Sequence, residues 1–129
     1  MSPVNKKIFE KFGSVKSNLL DNECTILQTN VREVKELMTV LLVQGATRSI
    51  YELDIHDDFQ ETTQAMGAAF AAAVLPLLHA CSEGYAMMVH NDLSPGKSTK
   101  GSYEVVKNAL EQNYVRTCCM LEVPSASIY

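Results

Sequence analysis

Apolar positions recur at spacings of three and four along most of this 129-residue chain. Leu20, Cys24, Leu27, Val31, Val34, Met38 and Leu41 form a helical stripe with a seven-residue repeat. Leu19, Ile26, Leu37 and Val40 widen it beyond a coiled-coil seam, so a helix from about residue 14 to 44 is expected to pack on more than one neighbour. Gly45 stands where a left-handed C-cap would end it. A second stripe, Ile55, Phe59, Thr62, Met66, Ala69, Ala73, Leu77 and Ala80, repeats the spacing and is predicted to face inward. It passes through Thr62 to Ser82, a stretch without formal charge and rich in alanine, whose small side chains let neighbouring helices approach closely.

This second helix has two candidate starts. Ser49 and Glu52 fit a capping box that would open it near residue 50, whereas Asp54, Asp57, Asp58 and Glu61 would also suit a start near 57 through the helix dipole. It is expected to run to about residue 83 and to kink at Pro76, which removes one backbone hydrogen bond and crowds the carbonyl four residues earlier.

Ser2-Pro3 is an N-cap followed by proline at the first helical position, and Gly13 stops the pattern, predicting a short helix over 3–12. Met87, Met88 and Val89 predict a further short helix over 85–92. Ser94 to Gly101 reads as a loop. Ser102 caps a last helix over 102–121, with Tyr103, Val106, Leu110, Tyr114, Cys118 and Leu121 along one side and Pro124 beyond its end. No strand-like alternation of useful length occurs. The expected fold is all-α: one domain over residues 1–129, a four-helix-type bundle with long antiparallel helices, one of them kinked at Pro76.

Composition narrows the partners. With 47% hydrophobic and 20% charged residues the chain is ordinary globular material, and its net charge of −4 opposes general nucleic-acid binding, which needs a basic face. The charge is uneven: Lys6, Lys7, Lys11 and Lys16 against Glu10 make the first sixteen residues basic, and Glu52 to Glu61 is acidic. The apolar stretch is long enough to raise a membrane span. Its alanine content, Thr62, Thr63, Gln64 and His79, and its lack of flanking basic or aromatic anchors instead predict a buried helix. The first residues have no continuous apolar run of the secretory kind, which predicts a cytoplasmic chain.

The candidate chemistry fails on spacing. Gly96-Lys97-Ser98 echoes the end of a phosphate-binding loop, but Asn91 stands where that loop needs glycine and no strand precedes it. His56, His79 and His90 form neither HExxH nor a Glu-x-x-His pair, and His79 with Cys81 supplies at most two metal ligands, so no metal and no cofactor are expected. The acidic run lacks the glycine and alternating oxygen ligands of a calcium loop. No serine sits in G-x-S-x-G, and nothing local activates a cysteine, so no catalytic residue is assigned.

The cysteines carry one geometric expectation. Cys24 and Cys81 lie equally far from a helical-hairpin turn centred at residues 52 and 53, which would put them at one level and allow a disulfide between them. That bridge would imply an oxidising compartment and a removed leader, hence a secreted or organelle-lumen protein in place of a cytoplasmic one.

Together these features predict a non-catalytic helical interaction or structural protein, a small subunit of a larger assembly or a homo-oligomer, whose six methionines adapt to a protein partner. The alternative is a carrier of a small apolar ligand in a cavity between helices, ringed by Phe59, Met66, Phe70 and Met87. An enzyme with a site assembled from scattered residues ranks third.

Overall fold

A computed structural model describes residues 2–96 and 101–115; the expected end of the last helix and Cys118 and Cys119 lie outside them. The described residues are mostly helical, with no strand among them: α1 (Pro3–Leu20), α2 (Cys24–Asp54), α3 (Glu61–Cys81), α4 (Glu83–Leu93) and α5 (Tyr103–Val115). The chain divides into two compact units, Met1–Leu41 and Leu42–Tyr129.

In the first unit α1 begins as its sequence predicts, the Ser2 hydroxyl accepting a hydrogen bond from the Asn5 amide and Pro3 opening the helix. It does not stop at Gly13. That glycine is exposed with nothing near its Cα, so its cost is only the helix propensity of glycine, and the helix runs on to Leu20. The break comes instead at Asn22, which adopts φ 57°. The Glu23 amide donates to the Asn18 carbonyl at 3.0 Å and the Asn22 amide to the Leu19 carbonyl at 3.5 Å. This is a Schellman cap with asparagine in the usual place of glycine, and it divides the expected 14–44 helix. Lys11 reaches from α1 to two residues one turn apart on α2, forming an ion pair with Glu33 and donating to the buried Asn30 side chain at 3.4 Å.

The second unit holds the larger core, Val43, Ala46, Ile50 and Leu53 of α2, Ala71, Val74 and Leu78 of α3, Ala86, Val89 and Leu93 of α4, and Val106, Ala109 and Leu110 of α5. α3 packs along α4, α4 against α5, and α3 more lightly against α5. Gly45 is not a C-cap. The Phe70 ring of α3 occupies the place where a Cβ at Gly45 would be, and α2 continues to Asp54, absorbing Ser49 and Glu52 into its interior. Helix α3 therefore starts at neither expected position. A left-handed Asp57 (φ 53°) turns the chain, Asp58 accepts from the Gln60 amide at 3.3 Å and the Thr63 hydroxyl at 2.8 Å, and the helix begins at Glu61. It continues through Pro76 to Cys81. An extended Ser82 then separates it from α4 and caps α4 through the Tyr85 amide.

The start of α5 is held from three sides. The Ser102 hydroxyl accepts from the Val105 amide at 3.4 Å, Asp92 of α4 accepts from the Ser102 amide at 3.1 Å, and Asp54 at the end of α2 accepts from the Tyr103 amide at 2.8 Å. Two carboxylates thus meet the positive end of the α5 dipole. Gly101 makes the approach possible, since a Cβ there would lie 2.5 Å from the Asp92 carbonyl oxygen and 2.9 Å from Ile50.

The Cys24–Cys81 bridge is not formed, because Cys24 is a free, exposed thiol. The premise of a turn at 52 and 53 also fails, since α2 runs on through those positions to Asp54 and α3 begins only at Glu61.

Two glycine substitutions are expected to act in opposite directions. Gly13→Ala adds helix propensity at an open position and should stabilise by up to ~1 kcal/mol. Gly101→Ala meets backbone and should destabilise by ~1–3 kcal/mol, a difference read from urea midpoints at unchanged m-value. Asp92→Ala should cost ~1–2 kcal/mol by the same measurement, since it strips a helix-terminal acceptor.

Candidate interaction surface

Helix α3 buries one narrow side and exposes the other. Gly67, Ala71, Val74 and Leu78 are its buried residues, at helical spacings of four, three and four. Gly67 sits at a tight contact, where an added Cβ would lie 3.2 Å from Leu93 and 3.3 Å from Ser49. The stripe predicted to face inward lies on the opposite side: Thr62, Ala69, Ala73 and Ala80 are exposed, as are Ile55, Phe59, Met66 (55% exposed) and Leu77 (40%). Every residue of that expected stripe is therefore on the surface. The periodicity was legible and its phase was not, because α3 is apolar around its whole circumference and spacing alone does not choose between two apolar sides. The signal that selects the buried side is glycine at 67, where an added Cβ would press on side chains of both α2 and α4.

In α2 the expected stripe is also displaced. Of Leu20, Cys24, Leu27, Val31, Val34, Met38 and Leu41 only Val34 is buried. In α5 the expected side is kept, with Val106 and Leu110 buried beside Ala109.

Two open grooves adjoin α3 in the second unit. The larger, about 1030 Å³, lies between α2, α3 and the start of α5, with Gly45, Arg48 and Tyr51 on one wall and Met66 and Phe70 on another. Tyr51 anchors it by edge-to-face contacts with Tyr103 at 5.2 Å and His56 at 5.1 Å. The smaller, about 490 Å³ and almost wholly apolar, runs between α3 and α4 past Ala72, Pro76, Met87, His79 and His90. Of the four residues expected to ring a cavity, Met66 and Phe70 share the larger of these two grooves, Met87 lines the smaller, and Phe59 lines neither of the two.

His79 and His90 line the smaller groove together, His56 follows the end of α2, and among the described residues no three His, Cys, Asp or Glu side chains converge on a metal-sized site. Gly96 of the phosphate-loop echo follows helix α4, has φ 79°, and donates its amide to Gln64 at 3.5 Å; Lys97 and Ser98 lie outside the described residues. By length and composition α3 is the one described helix that could cross a membrane, and little of it is buried.

Comparison with family models, curated proteins and solved structures finds no match to this chain.

Adjacent leucines test the phase of α3. Leu78→Ala removes a side chain that is 5% exposed and should cost ~2–5 kcal/mol, whereas Leu77→Ala should cost less than ~1 kcal/mol when unfolding is measured at low protein concentration. Equal losses would place both leucines in the core.

Proposed function

We propose that this chain is a non-catalytic helical interaction protein, acting as a homo-oligomer or as a small subunit of a larger assembly. The observation that carries this reading is the exposed side of α3, an apolar surface running the length of a helix whose other side is built into the core. Soluble monomers rarely leave contiguous apolar surface of this extent open. Large side chains exposed in the first unit, Phe9 (76% exposed), Phe12, Leu19 and Leu20, add to the same argument. The finer architecture belongs to the proposal as well. The end of α2 with α3, α4 and α5 makes a small four-helix-type bundle with antiparallel long helices, and Pro76 bends α3.

A carrier of an apolar ligand is the weaker reading, since both grooves beside α3 open to solvent rather than enclosing a volume. Native mass spectrometry separates the two. The expected result is a multiple of the 14.3 kDa chain mass, or that mass with a stoichiometric protein partner. A bare monomer removes the interaction reading, and a monomer carrying a small apolar molecule replaces it with the carrier.

A further inference from the structure

We propose that α1 is a membrane-surface helix, which lies on a bilayer rich in anionic lipid head groups. The inference goes beyond the proposed function, whose carrying surface is α3. It starts from how little of α1 is used inside the fold, since none of its 18 residues is buried. Two stripes with the same spacing run side by side along the helix. Val4, Ile8, Lys11, Val15 and Asn18 are half-buried, and from this side Lys11 reaches Glu33 and Asn30 of α2. Asn5, Phe9, Phe12, Lys16 and Leu19, each one position further on, are exposed, as is Leu20 one turn beyond Lys16. The exposure is large: Phe9 is 76% and Leu20 75% accessible.

Charge and residue type together select the occupant of that exposed side. Helix α1 carries Lys6, Lys7, Lys11 and Lys16 against Glu10, a net charge of +3 in a chain whose total is −4. An anionic surface therefore attracts α1 and repels the rest, which orients the chain on it. A protein partner fits this face less well, because the centres of protein interfaces are depleted in lysine and favour arginine as their cation. All four cations of α1 are lysines, and Lys16 stands among the apolar side chains. At a bilayer the same order is favourable. Phe9, Phe12, Leu19 and Leu20 enter the boundary between head groups and acyl chains, while Lys6 and Lys16 lay their stems along apolar surface and lift their ammonium groups to lipid phosphates. Four lysines in 18 residues keep the helix on the surface and out of the hydrocarbon.

The test is flotation of the full chain with vesicles of phosphatidylcholine alone and of phosphatidylcholine with about 30% phosphatidylserine, at roughly 0.05 and 0.5 M salt. The expected result is partition onto the anionic vesicles, weakened by salt, and little onto the neutral ones. Lys6→Gln with Lys16→Gln should lower that partition about 30-fold, each lysine at an anionic surface contributing roughly fivefold. Phe9→Ala with Phe12→Ala should lower it about tenfold or more. All four positions are exposed, so circular dichroism should show unchanged helix content in both variants. Absence of the chain from anionic vesicles overturns the proposal. Equal binding to neutral vesicles, or binding that neither double variant weakens, also overturns it and leaves the lipid contact to another surface.

Discussion

The second unit depends on how the first amides of α5 are satisfied. A helix begins with amides that have no partner inside it, and burying that end beside other helices removes water as the alternative. Asp54 and Asp92 come from two different helices to accept those amides, and Ser102 takes a third. The same contacts fix α2, α4 and α5 at one point, beside Ile50, a side chain with no exposed surface. Gly101 is required there because no Cβ fits against the Asp92 carbonyl. The position is defined by what approaches it rather than by the turn it makes.

The same logic of close approach explains α3. Phe70 lies over bare Gly45, and Gly67 lies beneath Leu93 and Ser49, so glycines on α2 and α3 let their neighbours in at both contacts. With that side committed, the alanines opposite have nothing left to pack on within the described second unit, and they form the surface on which the functional argument rests.

Much of the element content was legible in the sequence and its phase was not. Ser2-Pro3 and Ser102 marked helix starts because their side-chain caps are local, and Val106 and Leu110 marked the buried side of α5 because that helix has a polar side to contrast with it. Gly13 and Gly45 misled in the same way. Glycine weakens a helix by only ~1 kcal/mol, which tertiary packing at Gly45 and simple continuity at Gly13 override. The true break at Asn22 rests on a left-handed asparagine whose signal is weak beside that of glycine. Asp54 was read as charge for the start of α3, whereas it serves the start of α5, 49 residues from its partner. No local pattern encodes a cap that distant. The exposed side of α3 was written out residue by residue as an inward stripe, so its members were found and their direction was reversed.

The clamp on α5 also orders assembly. Contacts between α3 and α4, joined through Ser82 alone, close almost no loop, whereas the bond between Asp54 and Tyr103 closes one of 49 residues and must offset its chain entropy. The receptor for α5, made of Asp54, Ile50 and Asp92, lies wholly upstream of the helix it receives. Helix α5 is therefore expected to dock after α3 and α4 have paired.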